Sequence, residues 1–274
     1  MAASLRRGRR KLRNSNNKAS VAVIGGSGLE DLLEKAVRFR FGTPYGLPSP
    51  ISLGEVNGKA VAFLPRHGPS HTIPPHQVNY RANLFALHQL GVERIFATNA
   101  VGGINRRLKP GDLVVPHDFV DFTKSRKGTY YDASPVTHVD MSQPYCPELR
   151  DTLLNALKRV GENAVERGVL ACTEGPRYET PAEVKMLHSF GCDLVGMTGM
   201  PEAVLARELE MCYASLCYVS NMAAGLQEHQ TVKELTKVAD EKRGIIKEVL
   251  KEAISSLLKT RSCGCAHALD NAWL

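Results

Sequence analysis

The 274-residue sequence lacks any apolar run that approaches the ~18 residues a membrane-spanning helix needs. It also lacks the compositional bias of disordered or fibrous proteins, since 43% of its residues are hydrophobic and 23% are charged. No internal repeat and no long linker divides the chain. This length suits one large domain better than two. We therefore expect one catalytic-sized domain with no membrane partner.

Acidic residues are absent from the first 19 positions, which instead contain seven Arg and Lys residues. These seven account for the whole net charge of +7, so residues 20–274 are neutral overall. A secretory signal would need an apolar stretch after the basic residues, and residues 15–18 are polar. We predict a disordered basic tail over residues 1–19, with a transit peptide or an anion-binding segment as alternatives. The neutral remainder does not suggest a nucleic-acid partner.

The cysteine pattern shows neither an even disulfide set nor a complete metal motif. Most of the seven cysteines lie in apolar segments, which indicates reduced, buried thiols and a cytoplasmic location. Cys263-Gly264-Cys265 lacks the second ligand pair that a zinc site would show. Because residues 259–274 also lose helical periodicity, we predict a disordered C-terminal tail there, an ordered domain over residues 20–258, and no metal site.

Short apolar runs bounded by Gly, Pro or Asn alternate with helical patterns along the domain. The predicted strands are residues 21–24, 60–64, 94–98, 112–115, 168–173, 194–197 and 212–220. The predicted helices are residues 79–90, 147–160, 181–190, 200–210 and 231–258. Strands that alternate with helices predict an α/β architecture with helices layered around a central sheet.

The first strand runs into a glycine turn, Gly25–Gly28, whose backbone N–H groups and Ser27 hydroxyl could hold an anion. A dinucleotide fingerprint would need glycine at position 31, which is Asp31, and a nucleophile elbow would need glycine at position 29, which is Leu29. No P-loop lysine and serine pair follows. The turn therefore predicts a phosphate or carboxylate site, or a turn without a ligand.

A second candidate anion site is Arg66-His67, directly after the second strand. Arginine offers a planar fork for an oxyanion, and the neighbouring imidazole adds a donor or a proton carrier. His71 and His76 lie close in sequence and would allow a metal site instead. Two prolines break any helix that would align the three histidines, and no cysteine or paired acid completes a ligand set. We favour the anion site, with His76 as a loop residue.

Polar residues follow three further strands, where α/β sheets bind ligands. The segment Glu174–Thr180 includes Glu179, which is either a ligand contact or part of the cap of the next helix. Asn221 is either a turn former or an amide that binds a nucleobase. The third strand end is the segment 195–202, which contains the hydroxyl of Thr198. Met197, next to Thr198, and Met222, next to Asn221, would ordinarily belong to the core.

Together these motifs resemble the trimeric purine nucleoside phosphorylases, and among them the methylthioadenosine phosphorylases. The motifs, in the family's order, are Gly25-Gly26-Ser27-Gly28-Leu29, Arg66-His67-Gly68, Asn79-Tyr80-Arg81-Ala82-Asn83, Asn99-Ala100-Val101-Gly102-Gly103, Pro110-Gly111-Asp112, Glu174-Gly175-Pro176-Arg177-Tyr178-Glu179-Thr180, and Gly196-Met197-Thr198 with Pro201-Glu202. The resemblance covers about residues 20–258. It implies a single α/β domain with a central mixed sheet flanked by helices, and a homotrimer.

The resemblance also implies a reaction in which inorganic phosphate is a co-substrate and neither a cofactor nor a metal is required. Phosphate would attack C1′ of a nucleoside through an oxocarbenium-like state. The residues implied to bind phosphate are Ser27, Arg66, His67, Asn99, Ala100 and Thr198. Those implied to bind the nucleoside are Met197, Tyr178, Glu179, Asn221, Met222, Ala223 and His138.

The implied catalytic pair, Glu179 and Asn221, matches the 6-oxopurine enzymes of the family. The adenine-specific branch has two acids at positions that align with Asn221 and Ala223, and it lacks a glutamate at the position of Glu179. Hypoxanthine has a donor at N1–H and acceptors at O6 and N7, so Glu179 could accept from N1–H while Asn221 donates to O6 or N7. We therefore expect a 6-oxopurine base.

The 5′ end of the sugar gives a second distinction. Family members that use ordinary nucleosides place a histidine near the 5′-hydroxyl, whereas this sequence has Val232 in the corresponding stretch. An apolar side chain suits a methylthio group, although His138 or His71 could reach the same region. The combination resembles the S-methyl-5′-thioinosine phosphorylases, with inosine and guanosine phosphorylases and methylthioadenosine phosphorylases as alternatives.

Overall fold

The structure is a computed structural model that describes residues 18–26, 28–228 and 231–273, without the side chains of residues 232 and 233. Ser27 and residues 1–17 of the predicted basic tail lie outside the described residues. Ala19, which we assigned to that tail, is already part of the packed domain, because it is buried and its N–H donates to the Leu90 carbonyl.

In the described residues, eleven strands form one mixed sheet and five α-helices cover it. The strands are β1 Val21–Gly25, β2 Glu34–Phe39, β3 Ile51–Val56, β4 Lys59–Pro65, β5 Arg94–Gly103, β6 Leu113–Val114, β7 Asp118–Phe122, β8 Ala164–Val165, β9 Val169–Thr173, β10 Leu194–Gly196 and β11 Cys212–Met222. The helices are α1 Tyr80–Gln89, α2 Pro147–Val160, α3 Pro181–Ser189, α4 Gly199–Glu208 and α5 Val232–Ser256. None of these helices is both long enough and apolar enough to cross a membrane.

The sheet has the order β2-β3-β4-β1-β5-β10-β9-β7, and β11, β6 and β8 branch from β5. Strand β5 is parallel to β1 and β11 but antiparallel to β10. Its pairing with β1 ends at Ala97 and its pairing with β10 begins at Gly102. Residues 98–101 therefore border an opening in the sheet, and the predicted mixed α/β fold is confirmed.

The two faces of the sheet carry separate apolar cores. Because neighbouring residues of a strand point to opposite faces, Ile24 packs with α1 and α4, whereas Val23 packs with α2 and α5. Leu84 of α1 and Leu250 of α5 are each fully buried in these cores. Burial of one such side chain stabilises the fold by about 1.5–3 kcal/mol.

Local signals place the helix that follows the predicted binding loop. Thr180 accepts from the Glu183 N–H, and Glu183 accepts from the Thr180 N–H, so the two form a capping box. Pro181 occupies the first turn, where its missing N–H costs nothing. A cap of this kind contributes about 1 kcal/mol to the helix. The start of α3 thereby fixes the end of the Glu174–Thr180 loop.

The predicted disordered C-terminal tail is wrong for the described residues, up to residue 273. Residues 264–267 form a 3₁₀ turn, Cys265 and Ala272 are buried, and the Ser262 N–H donates to Glu148. The prediction that Cys263 and Cys265 lack a second cysteine pair is also wrong, because two cysteines from elsewhere in the chain lie beside them. Tertiary contacts order this segment, and sequence periodicity carries no signal of them.

Candidate active site

The opening beside β5 is marked by Ala100, an exposed residue in a strand that is otherwise buried. The carboxyl ends of β1 and β4 reach this opening from one direction. The carboxyl end of β10 reaches it from the opposite direction, because β10 is antiparallel to β5. A reversal of this kind in an α/β sheet creates a crevice where ligands bind.

Arg66 follows β4 and is buried beside the opening. Its Nε and Nη2 donate to the two oxygens of Glu202 at 2.6 and 2.9 Å, and Nη1 donates to the Thr98 carbonyl. Tyr213 also donates to Glu202. Burial alone would lower the pKa of Arg66, but the Glu202 carboxylate raises it above its usual value. Two of the five guanidinium N–H groups remain for an oxyanion.

His67, the next residue, is held as a neutral ring. Its Nδ1 lies 2.8 Å from the Ile73 carbonyl, which can only accept, so Nδ1 carries the proton. Burial and the neighbouring Arg66 charge lower the pKa of His67 to about 4. Nε2 is therefore an acceptor at neutral pH, suited to the protonated oxygen of hydrogenphosphate. The ring stacks on His71 with centroids 4.4 Å apart.

Asn99 and Thr198 are brought together across the opening. The Thr198 hydroxyl donates to Asn99 Oδ1 at 2.9 Å, and Asn99 Nδ2 donates to the Ser215 hydroxyl at 2.6 Å. These bonds connect the end of β10 to β5 and β11. Thr198 directly precedes α4, in which Met200 and Pro201 have non-helical backbone angles, so regular helix begins only after these two residues.

The glycine turn lies beside a cation from α5. A Cβ on Gly28 would lie 2.6 Å from Arg243 Nε, so the turn and this guanidinium are in close contact. The Gly28 N–H donates to a Glu30 carboxylate oxygen at 2.6 Å. An anionic oxygen therefore lies on this turn, supplied by the chain itself. The predicted Ser27 contact falls outside the described residues.

Glu179 is buried at the end of the loop after β9 and does not cap α3, because that role belongs to Thr180. Glu179 Oε1 accepts from the Thr173 hydroxyl at 2.6 Å. The alternative in which Glu179 serves only the helix cap is thus wrong. The hydroxyl holds one carboxylate oxygen, so the carboxylate has further acceptor capacity.

Asn221, at the end of β11, is buried as well. Its Oδ1 accepts from Ser220 at 2.7 Å, and Nδ2 donates to the Met222 carbonyl at 2.9 Å, which leaves one amide N–H for another acceptor. The loop that follows β11 lies close to the start of α3, because a Cβ on Gly225 would lie 2.9 Å from the Pro181 side chain. Ala223, also implied in the base site, is buried and donates its N–H to the Gly103 carbonyl of β5.

The other implied nucleoside contacts divide into two groups. Met197 packs on Gly175, and Met222 packs on Gly103. Tyr178 is exposed on the Glu179 loop. His138, by contrast, is exposed and its backbone N–H donates to the Ala272 carbonyl of the C-terminal segment. The structure ties it to that segment rather than to the strand ends. The Val232 side chain lies outside the described residues.

Sequence reasoning missed two charged residues that support the site. Glu202 stood in a recognised motif without a role, and its pairing with Arg66 joins residues 136 positions apart. Arg126 donates to the carbonyls of Thr173, Glu174 and Met200, which holds the loop after β9 against the start of α4. Arg126 belongs to a basic stretch whose pattern suggests only a solvated loop, so no local signal marks it.

Comparisons with known proteins agree with this geometry. Residues 20–255 match the family model described as the phosphorylase superfamily. A Methanothermobacter thermautotrophicus protein named "Probable S-methyl-5′-thioinosine phosphorylase" is 50% identical, over 92% of this chain and 89% of its own length. A Thermococcus kodakarensis protein named "Probable 6-oxopurine nucleoside phosphorylase" is 48% identical, over 92% of this chain and 98% of its own length.

The fold is similar to solved structures as well. The crystal structure of a methylthioadenosine phosphorylase from an Antarctic soil metagenomic library has a TM-score of 0.89 and 36% identity, with 94% of this chain and 93% of the other covered. The family match, the identities and the fold lead to one conclusion: the chain belongs to the phosphorylase superfamily, as an enzyme of the nucleoside phosphorylase type.

Proposed function

We propose that the protein converts S-methyl-5′-thioinosine and phosphate into hypoxanthine and S-methyl-5-thio-α-D-ribose 1-phosphate. The observation that carries the proposal is the burial of both Glu179, on the loop after β9, and Asn221, at the end of β11, each with hydrogen-bonding capacity left for a base. The relative of this printed name at 50% identity supports the same assignment. The reaction belongs to the salvage of a polyamine by-product, as the resemblance implies.

The base is selected by the donor and acceptor pattern of this pair. Glu179 accepts the N1–H of hypoxanthine, and the unused N–H of Asn221 donates to O6 or N7. Adenine has an unprotonated N1, which an ionised carboxylate repels. A mispaired buried polar group costs about 1–3 kcal/mol, which corresponds to a preference of roughly ten- to hundredfold.

Phosphate binds on the other side of the ribose, between the strand ends. Arg66 supplies its two unused N–H groups, and Thr198 and the backbone at Ala100 face the same opening. The neutral His67 accepts from the protonated phosphate oxygen. Hydrogenphosphate is then held close to C1′ as a dianion, with Arg66 as the cation beside it. Charge on phosphate then offsets the positive charge that develops on the sugar ring in the transition state.

A phosphorylase for inosine and guanosine is the second candidate function. The same base site suits it, and the Thermococcus kodakarensis relative at 48% identity carries a 6-oxopurine name. Inosine and S-methyl-5′-thioinosine differ at the 5′ end of the sugar. In the sequence stretch where family members that use ordinary nucleosides place a histidine, this chain has Val232, and an apolar residue suits a methylthio group.

Substrate competition tests the proposal. Base release is measured from S-methyl-5′-thioinosine, inosine, guanosine and methylthioadenosine, with and without phosphate. We expect the highest kcat/KM for S-methyl-5′-thioinosine and no release without phosphate. Faster turnover of methylthioadenosine would overturn the base assignment, faster turnover of inosine would overturn the 5′ assignment, and release without phosphate would indicate a hydrolase.

A double variant tests directly whether residues at the end of β11 select the base. Asn221→Asp with Ala223→Asp introduces the two acids of the adenine-specific branch. We expect the kcat/KM ratio of methylthioinosine to methylthioadenosine to fall by about tenfold or more, since one polar mismatch is worth about 1–3 kcal/mol. Ala223→Ser is the control for bulk at that position. An unchanged ratio in the double variant would mean that other residues select the base.

A further inference from the structure

Four cysteines form a cluster away from the strand ends that make the active site. The sulfurs of Cys146, Cys212, Cys263 and Cys265 all lie within 4.8 Å of one another. They come from three parts of the chain, namely the residue before α2, the first residue of β11 and the C-terminal segment. All four are free thiols, and the Cys212 and Cys263 sulfurs are 3.3 Å apart, well beyond the ~2.05 Å of a disulfide bond.

The size of this cluster fits one tetrahedral metal ion. Zinc–sulfur bonds of about 2.3 Å place four thiolates roughly 3.8 Å apart along the edges of a tetrahedron. The separations in the cluster, up to 4.8 Å, require only small movements to reach that value. Sets of four thiolates are typical of zinc and of iron–sulfur centres, and Cys₄ is a common ligand set of structural zinc.

Hydrogen bonds and a nearby cation hold the four cysteines in place. The N–H groups of Ser262 and Cys263 donate to Glu148 Oε2, and the Cys146 N–H donates to the Tyr213 carbonyl, so backbone bonds fix three of the ligand segments. Arg207 Nη1 lies 3.6 Å from the Cys265 sulfur, as a cation beside a thiolate would.

Burial differs among the four ligands in a way that allows entry of an ion. Cys146, Cys212 and Cys265 are buried, whereas Cys263 is half-buried at the rim. A surface depression lined by Glu148, Ser262 and Cys263 leads to this rim. An ion can therefore enter from solvent and end in an apolar core, where water does not compete for it.

We propose that these four cysteines bind one Zn²⁺ ion in a structural site. Binding converts four thiols to thiolates and releases four protons, so the complex carries two negative charges that Arg207 partly offsets. All four positions of the metal are filled by protein, which is typical of structural and not of catalytic zinc. Strand β11 separates Cys212 from Asn221 by about 30 Å, at roughly 3.3 Å per residue.

The metal would join the C-terminal segment to α2 and β11. That segment has one short 3₁₀ turn and no α-helix in its described residues, so few local interactions stabilise it. Zinc supplies a link between residues that are more than fifty positions apart in sequence, from Cys212 to Cys263. Loss of the ion should therefore loosen the C-terminal segment and leave the chemistry at the far end of β11 intact.

Metal content of the full-length, untagged protein tests the proposal. Elemental analysis should find about one zinc per chain, and Cys263→Ser and Cys265→Ser should each lower that value severalfold. Cys192→Ser is the matched control, because Cys192 is a buried free thiol outside the cluster and should retain the zinc. Reconstitution with Co²⁺ should give the thiolate-to-metal charge-transfer bands of a tetrahedral sulfur site, with weaker bands in Cys263→Ser.

Intact mass and thiol alkylation separate the other outcomes. A protein without metal, whose mass is lower by two hydrogens for each bridge, would contain disulfides and overturn the proposal. A protein with four alkylatable cluster thiols and no affinity for added Zn²⁺ or Co²⁺ would overturn it as well. Zinc retained in both serine variants would place the ion elsewhere. If a variant fails to fold, the Co²⁺ spectrum of the wild-type protein decides.

Discussion

At the scale of single residues, the Arg66–Glu202 pair links the stability of the protein to its phosphate chemistry. Both side chains are buried, at 2% and 1% exposure, so neither charge is solvated by water. Attraction between two buried charges offsets their desolvation only when the geometry is good. The two-bond contact provides that geometry and orients the remaining N–H groups of Arg66.

Glu202→Gln should therefore leave the Arg66 charge without compensation. Removal of one partner of a buried pair costs about 3–5 kcal/mol, and a chain of this size loses roughly 2–4 °C of Tm for each kcal/mol. We expect a fall in Tm of about 6 °C or more in thermal denaturation, together with a higher KM for phosphate.

Glu208→Gln is the matched control for this substitution. Glu208 is also a buried acid of α4, but it accepts from Thr129 and Tyr130 and pairs with no cation in the described residues. Its replacement should lower Tm less and leave the KM for phosphate unchanged. Equal effects of the two substitutions would mean that the ion pair has no special role.

The neutral His67 ring predicts a pH dependence of stability. Its pKa is lowered from about 6.5 to about 4 in the folded protein, so below pH 6.5 the unfolded chain binds the extra proton. The stabilisation that the neutral His67 ring gives to the folded protein is therefore complete above pH 6.5. It is lost as the pH falls toward 4, which lowers the free energy of unfolding by about 3 kcal/mol.

His67→Gln isolates this contribution, because glutamine keeps an amide donor but does not titrate. The Tm difference between wild type and variant, measured by thermal denaturation from pH 7.5 down to pH 4.5, should shrink or reverse as the pH falls. A difference that stays constant across this range would show that His67 has the same pKa in the folded and unfolded states.

At the scale of elements, the helices were predictable because their signals are local. The predicted helix over residues 147–160 matches α2 residue for residue, and the capping box at Thr180 and Glu183 places α3. The buried strands β1, β4, β5, β9, β10 and β11 were also predicted, because parallel strands that are covered on both faces give continuous apolar runs.

The strands that were not predicted lie toward the margins of the sheet. β2 is almost fully exposed, and β7 begins with a charged residue and is only partly buried. Neither gives an apolar run. The cysteine cluster escaped prediction for another reason, because Cys146 and Cys212 are far in sequence from Cys263 and Cys265. Contacts of that range depend on the topology of the whole sheet, and no local pattern encodes them.

The loop after β9 gives a prediction at this scale, through Gly175. Its φ of +66° is in the left-handed region, and a Cβ there would lie 2.6 Å from the Met197 sulfur. Gly175→Ala should therefore strain the backbone and displace Met197 from the ribose side of the proposed site. We expect a fall of roughly 10–100-fold in kcat/KM for the nucleoside, the scale of a displacement of about 1 Å in an active site.

Gly161→Ala separates the two effects of this substitution. Gly161 ends α2 with a φ of +81°, and a Cβ there would meet nothing within 4 Å. Both substitutions should lower the free energy of unfolding by about 1–2 kcal/mol, because alanine is strained in the left-handed region. Only the Gly175 variant should lose activity in steady-state kinetics, and equal kcat/KM values in the two variants would argue against contact between Met197 and the nucleoside.

At the scale of the whole molecule, the net charge divides the chain into two parts. Six of the seven basic residues in positions 1–19 precede residue 18, whereas the rest of the chain is close to neutral. The charges that matter for the proposed phosphate site are few and are held in pairs, such as Arg66 with Glu202. The overall charge of +7 therefore says little about the chemistry of the sheet opening.

Assembly is a second property of the whole molecule. The family resemblance implies a homotrimer, and the single chain has a mass of 30.0 kDa. Several large apolar side chains are exposed on this chain, among them Phe190 and Leu258. Burial of such side chains in subunit contacts would contribute to the stability of a trimer. Light scattering coupled to size exclusion should give a mass three times that of the chain, and a monomer mass would contradict the trimer.

Removal of residues 2–17 tests whether the basic N-terminal residues contribute to enzymatic activity or to stability. The deletion stops before Ala19, whose N–H donates to Leu90 and helps to hold the start of β1. It removes six basic residues and no acid, so the net charge falls from +7 to +1. We expect kcat/KM and Tm to stay within experimental error of the full chain, because the described site residues all lie beyond the deletion. Nucleic-acid binding that is steep in salt for the full chain and absent after deletion would instead assign the tail an anionic partner.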